Sequence, residues 1–260
     1  MIDTQLITKL RKISGAGIAD CKSALEEADN DIDKALENLR KKGAVKAAKK
    51  SERETNEGVI NIITENNKVA VVGLACETDF VARNEDFVKA VNDFTKKLLE
   101  VGLEEFKVWA EAKIKDELIV RIGENIQLTQ AELIEGDVIG TYLHSNKKVA
   151  ATVVLSGGSK ELANDLAMQV TAMLPQYIKP EDIEDTKIEK EKEIYREQLK
   201  AEGKPEDMWE KIIPGKLNKY YEEVCLIKQS FIKDDKIKVE QLIKETGEDV
   251  EVIKFSRYQI

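Results

Sequence analysis

The sequence predicts an α+β protein with three parts: an N-terminal three-helix module, a duplicated hairpin-plus-helix core, and a protruding antiparallel helical hairpin. Three observations carry this. Residues 3–43 place apolar side chains at helical spacing between two turn signals. An apolar strand–turn–strand pattern occurs twice, each time followed by a helical stretch. Residues 184–224 are strongly charged, with a Gly-Lys-Pro turn at 203–205. The 260 residues suffice for one large or two smaller domains with real cores. With 35% charged and 5% aromatic residues, the chain reads as a soluble, helix-rich globular protein rather than a disordered one. The expected divisions are 1–43 for the module, 44–56 for a linker, 57–135 for the first core subdomain, and 136–260 for the second, including the hairpin 184–224.

Leu6, Ile7, Leu10 and Ile13 line the first helix, and Ser14-Gly15-Ala16-Gly17 supplies a tight turn. Ile18, Cys21, Ala24, Leu25 and Ala28 line the second. Asp29-Asn30-Asp31 stops it and offers caps for the third, which is lined by Ile32, Ala35, Leu36 and Leu39 and is expected to end at Gly43. Three small helices with a Gly-x-Gly turn resemble the ubiquitin-associated fold, a resemblance that implies a protein-binding module. The turn is too short for a phosphate loop. Residues 44–56 read as a hinge whose first half can be helical.

The two hairpins are Val59–Val72 and Ile139–Thr152, which match at a shift of 80 residues through their Lys-Val-Ala segments. The helices that follow, Asn84–Glu100 and Ser159–Leu174, match at a shift of about 75. The first copy therefore carries some five extra residues, Thr78-Asp79-Phe80-Val81-Ala82, where the second closes with Gly157-Gly158. Taken alone, Thr78 or Asp79 would be a helix cap with Phe80 tucked inward as a staple. A cap needs no insertion, so the segment is expected to project Phe80 outward.

Between the copies, residues 103–120 read as helix, with Phe106, Val108, Trp109, Ala112 and Leu118 as core candidates. Gly123-Glu124-Asn125 reads as an ordinary turn into a strand. In the helical hairpin, Ile188, Tyr195 and Leu199 face a return helix bearing Met208, Trp209, Ile212, Leu217, Tyr220, Tyr221 and Val224. Pro214-Gly215 is expected to split that return helix into two segments. Its aromatics read as the hairpin's own seam, with a docking arm as the alternative. The tail is expected to form a strand at 225–232, a short helix at 239–246 and a closing strand at 250–258.

The net charge of −9 argues against general nucleic-acid binding, and the basic stretch from Arg40 to Lys50 reads as a solvated linker. No segment has the form of a signal peptide or a membrane span, so a cytoplasmic protein with no membrane partner is expected. Cys21, Cys76 and Cys225, with the single histidine His144, make neither a zinc set nor a disulfide framework. No phosphate loop, dinucleotide fingerprint or nucleophile elbow is present, so neither cofactor nor metal is expected. By the repeat alignment His144 falls at the far end of a hairpin from Cys76, which argues against a Cys–His dyad. The alternatives to a protein-binding factor are an adaptor for protein or RNA, and a thiol enzyme built on Cys76.

Several stretches resemble the elongation factor Ts family, the guanine nucleotide exchange factors of elongation factor Tu. Residues 10–25 (LRKISGAGIADCKSAL) are similar to its N-terminal signature, and Glu77-Thr78-Asp79-Phe80-Val81-Ala82 to its second motif. Arg121-Ile122-Gly123-Glu124-Asn125-Ile126 and Phe255-Ser256-Arg257-Tyr258 resemble later stretches, so the resemblance covers essentially the whole chain. It implies exchange through protein–protein contact, with no catalytic residue. Asp79 would contact a switch-region helix of elongation factor Tu and Phe80 would wedge between its side chains near magnesium. Thr78 and Val81 would hold the loop, and Asp20, Cys21 and Lys22 would mark the N-terminal module's grip on the nucleotide-binding domain. The second sheet and the helical hairpin would hold a distal domain. The implied partner is elongation factor Tu, GDP-bound and nucleotide-free, in a complex of one plus one or two plus two. Two departures stand out: Gln169 replaces a histidine frequent in the family, and a C-terminal helix that some members carry after the last strand is not expected here.

Overall fold

The structure is a computed structural model that describes residues 3–50, 52–246 and 249–260, without the side chains of 44–49. Met1 and Ile2, Ser51 of the expected linker, and the side chains of Lys46 and Lys49 in the basic stretch lie outside the described residues. Among those described, no helix is long and apolar enough to cross a membrane. The chain divides into two compact units. One takes in the chain through Ile134 with Ser145–Lys148 and Tyr258–Ile260; the other is Glu135–His144 with Val149–Arg257.

Helices α1 (Thr4–Ser14), α2 (Ile18–Glu27) and α3 (Ile32–Lys50) pack around Leu10, Cys21, Leu25, Ala35 and Leu39. Asp3 caps α1, and Asp31 accepts from the amides of Asp33 and Lys34 at the start of α3. Ile13 and Ile18, expected in this core, are instead more than half exposed, one on each side of the Gly15–Gly17 turn. Helix α3 does not stop at Gly43. The Lys- and Ala-rich residues beyond it are good helix formers, and a Cβ at Gly43 would overlap Cγ2 of Val120. The glycine is a packing site, whose helix cost of about 1 kcal/mol is offset by the close approach it permits.

The first repeat comprises β1 (Glu57–Glu65), β2 (Lys68–Cys76), a one-turn helix α4 (Asp79–Ala82) and α5 (Glu85–Val101). Helix α6 (Leu103–Lys113) runs through a π-helical turn (Ile114–Leu118) into α7 (Ile119–Ile122), and β3 (Ile126–Glu135) then joins the sheet in the order β1-β2-β3. Helix α5 lays Phe87, Val91, Phe94 and Leu98 on the sheet, a stripe at 3 and 4 spacing. Phe94, Phe106 and Trp109 cluster with ring centroids 4.7–6.1 Å apart. Val108 and Ala112, also expected inside, are exposed.

The second repeat is β4 (Val138–Leu143), β5 (Val149–Leu155) and α8 (Lys160–Met173). Helices α9 (Asp185–Ala201) and α10 (Trp209–Val224) share a core of Leu199, Ile213 and Leu217. The break expected at Pro214-Gly215 is absent. Pro214 is the sixth residue of α10 and deprives it of one hydrogen bond, to the Glu210 carbonyl, so the helix runs through. Residues 225–232 are mostly not strand: a 3-10 turn at Leu226–Lys228 precedes the two-residue β6 (Ser230–Phe231). Strand β6 pairs with β7 (Asp234–Lys238), a further hairpin that the charged sequence Asp-Asp-Lys-Ile-Lys conceals. Helix α11 (Val239–Lys244) and β8 (Val252–Gln259) follow, and β8 completes the sheet order β4-β5-β8. The whole is an α+β fold of helices and small antiparallel hairpins.

The repeats correspond by a different alignment from the one their sequences suggest. Both hairpins pair in register, Asn61↔Val72 in the first and Gly140↔Val153 in the second. The face toward α5 carries Val59 and Asn61 on β1 with Val72 and Leu74 on β2. The face toward α8 carries Val138, Gly140 and Tyr142 on β4 with Val153 and Leu155 on β5. Equivalent positions are thus 79 residues apart in the first strand and 81 in the second, the turn having gained two residues. A uniform shift of 80 would turn every side chain to the wrong face.

Gln169, which stands where the resemblance leads one to expect a histidine, is fully buried. Its amide donates to Oε1 of Gln229 and to the Ser230 carbonyl, and its own oxygen accepts from the Ile232 amide. Here it fastens β6 to α8.

Candidate functional site

Thr78 leaves β2 in an extended conformation and caps α4, its Oγ1 accepting from the Val81 amide at 3.4 Å. Asn84 caps α5 separately, so Thr78 does not start the long helix. Ala82 is buried and Val81 half-buried against the core, whereas Phe80 is 83% exposed. The staple reading is therefore wrong and the outward reading right. Asp79, half-buried, pairs with Arg83 at 3.0 Å, a contact that water screens strongly. A groove beside Phe80 is walled by Glu57, Val59, Arg83 and Val88, with Lys147 and Lys148 opposite; Lys148 pairs with Glu57 at 2.6 Å.

The base of this loop is held by residues that sequence reasoning passed over as a turn. Oε2 of Glu124 accepts from the amides of Glu77 and Thr78 at 3.0 and 3.1 Å, and Oε1 accepts from Oγ1 of Thr78 at 2.6 Å. In return, the Glu77 carboxylate accepts from the Asn125 amide at 2.6 Å and faces the Arg53 guanidinium at 3.3 Å. The Asn125 side chain donates to the Arg53 carbonyl at 2.8 Å, and Lys50 at the end of α3 donates to the Gly123 carbonyl. The Asn125 amide, helped by Arg53, holds the Glu77 carboxyl below the usual glutamate range. The bonds of Glu124 and Asn125 to Glu77 and Thr78 join residues 46–48 apart in sequence, and no periodicity links them. Only the similarity of residues 121–126 to a family stretch marked them.

Asp20, Cys21 and Lys22 stand on α2 in the three-helix core, not on this loop. Lys22 is exposed and Asp20 half-buried; Cys21 is fully buried, with its Sγ 3.6 Å from the Ala16 carbonyl. Cys76 is buried as well. Burial, reinforced by Glu124 and Glu57, pushes its thiol up to about 12, so almost none is thiolate at neutral pH. Cys225 is raised by burial to about 11. Neither is poised as a nucleophile. Among the described residues, no cluster of His, Cys, Asp and Glu has the form of a metal site.

A family model described as "Elongation factor TS" matches residues 77–260. The chain is 42% identical to the Elongation factor Ts of Hydrogenobaculum sp. over an alignment of 272 residues that covers all of this chain and 98% of that one. It is 39% identical to that of Hahella chejuensis over 272 residues, covering all of this chain and 92% of that one. Against that of Aquifex aeolicus it is 40% identical over 278 residues, covering 98% of this chain and 96% of that one.

Proposed function

This chain belongs to the elongation factor Ts family, and we propose that it promotes release of GDP and magnesium from elongation factor Tu during protein synthesis. The observation that carries the reading is Phe80, presented almost wholly to solvent on a single helical turn whose base is clamped. One exposed phenylalanine is unremarkable by itself. An exposed phenylalanine on a segment that the second repeat lacks, held at both ends, is a built projection.

The action is binding, not bond making. Asp79 meets a switch-region helix of the partner, and Phe80 enters between its side chains near the magnesium. The module α1–α3, ubiquitin-associated-like, grips the nucleotide-binding domain through the surface around Asp20 and Lys22. Cys21 supports that surface from beneath. The second repeat and the α9–α10 hairpin hold a distal domain. Because binding free energies are reciprocal, a protein that favours the nucleotide-free partner weakens GDP by the same factor. Such work is done in the cytoplasm and calls for no acid, base or cofactor.

Stopped-flow release of a fluorescent GDP from elongation factor Tu tests this reading. The protein at substoichiometric concentration should accelerate release, and should do so far less once a chelator has already removed the magnesium. No acceleration in magnesium buffer would reject the exchange function. Deletion of residues 1–50 should weaken partner binding; unchanged binding and exchange would reject the role given to α1–α3.

A further inference from the structure

The one-turn helix α4 has no stability of its own. A single turn fixes several backbone dihedrals for one or two hydrogen bonds, and isolated helices far longer than four residues are marginal in water. Its geometry must come from what grips its ends. At the far end, Ala82 is buried in the core. At the near end, the Cys76 thiol meets the Thr78 carbonyl, and the Glu124 carboxylate takes both backbone amides and the hydroxyl of the Glu77-Thr78 pair.

The hydroxyl decides the matter. Thr78 Oγ1 has one hydrogen, and that hydrogen is committed to Glu124 at 2.6 Å. Its lone pairs are thereby turned toward the Val81 amide, which they accept. Glu124 thus sets the rotor of the cap that starts α4, and α4 sets the direction of Phe80. The clamp is doubled, because Glu77 returns the favour to the Asn125 amide. Neither stretch can slide without breaking bonds in both directions, and bonds to a charged acceptor are the stronger kind.

We infer that Glu124 is a positioning residue for nucleotide exchange: it orders the Thr78 cap and so presents Phe80 to the partner in a fixed attitude before binding. The inference rests on the exchange reading above. Preorganisation of this kind avoids the cost of ordering the loop at the moment of contact.

The test compares wild type, Glu124→Ala, Glu124→Gln, Phe80→Ala and the double variant Glu124→Ala/Phe80→Ala in release of fluorescent GDP from elongation factor Tu. Glu124→Ala should lower the maximal rate about tenfold and change the half-saturating concentration less than about twofold, because the rest of the binding surface is intact. Glu124→Gln, whose carbonyl can still accept from the two backbone amides but whose amino group can only donate to Oγ1 and so frees the hydroxyl hydrogen, should fall between wild type and Glu124→Ala. Adding Phe80→Ala to Glu124→Ala should cost less than about twofold, far below its cost in the wild type, since a misdirected phenylalanine has little left to lose. A merely structural Glu124 would give additive losses. Additive losses, or a Glu124→Ala variant as fast as wild type, overturn the inference. Amide hydrogen exchange on the free protein reads the clamp without a partner, so it decides the point even if wild type fails to release GDP. Glu77 and Thr78 should be protected in wild type and lose protection in Glu124→Ala, and equal protection in both overturns the inference.

Discussion

The two repeats share a hairpin, a helix and a register, and differ at two places that have opposite consequences. At the strand-to-helix connection the first repeat spends a helical turn, Asp79–Ala82, where the second passes through Gly157-Gly158. At the helix–sheet contact the first repeat keeps Asn61, whose amide reaches Asn92 at 3.4 Å and Thr95 at 3.2 Å on α5. The equivalent residue of the second is Gly140, and a Cβ there would collide with the backbone of Ala163 and Asn164 in α8. One copy has invested in a projection and tolerates a spaced, hydrogen-bonded helix. The other has invested in close packing and projects nothing at that point. The second repeat closes without the insertion, which leaves the insertion free for the partner contact proposed above.

Removing the insertion should have the largest effect. Replacing Thr78–Ala82 by the short Gly-Gly connection of the second repeat should reduce exchange on the order of 100-fold, the scale on which aromatic anchors act at interfaces. Far-ultraviolet circular dichroism should be unchanged, and a lost fold would show that the turn is structural. Next comes the packing contrast. Gly140→Ala should destabilise the second unit by on the order of 3 kcal/mol in denaturant titration, because backbone cannot give way as a side chain can. Asn61→Ala should cost about 1 kcal/mol, the usual worth of a hydrogen bond. Equal costs would erase the distinction between the two contacts.

A smaller effect follows from pH. The Glu77 carboxyl is held low by the Asn125 amide and then by Arg53, so its contribution is complete above its unfolded pKa and is lost as pH falls through its lower folded value. The melting temperature of wild type relative to Glu77→Gln should therefore be constant between pH 6 and 8 and converge only at acid pH. A difference that shrinks near neutrality would contradict that sign. The smallest effect is expected at Cys76. With the thiol pushed to about 12, Cys76→Ala should leave exchange unchanged and alkylation of the native protein slow; loss of exchange in a folded variant would reopen the thiol-enzyme reading.

What could be read in the sequence was what repeats or alternates. The apolar stripe of α5, the two hairpins and the difference in connection length all follow from spacing, and that difference was enough to place Phe80 outside. What escaped has physical reasons. Gly43 carries the same letter whether it ends a helix or lets another cross it, and only the position of Val120 decides. The Lys-Val-Ala match fixed an alignment one residue off on each strand, because identity of letters says nothing of which face a strand turns inward. Glu124 reads as turn material in the sequence because its partners lie 46 and 47 residues away on another element. Ile13 and Ile18 fit a helical stripe and yet lie open at a turn, where three short helices leave too little core to cover them.

The measurement that reaches the central claim most directly is GDP release from elongation factor Tu at equal, substoichiometric concentrations of wild type and Phe80→Ala. Because Phe80 is 83% exposed, its truncation should leave the melting temperature essentially unmoved. Fast release with wild type, and release slowed about tenfold or more with the variant, would place exchange in the inserted turn. Equal rates would show that the projection, however well held, is not what opens the nucleotide site.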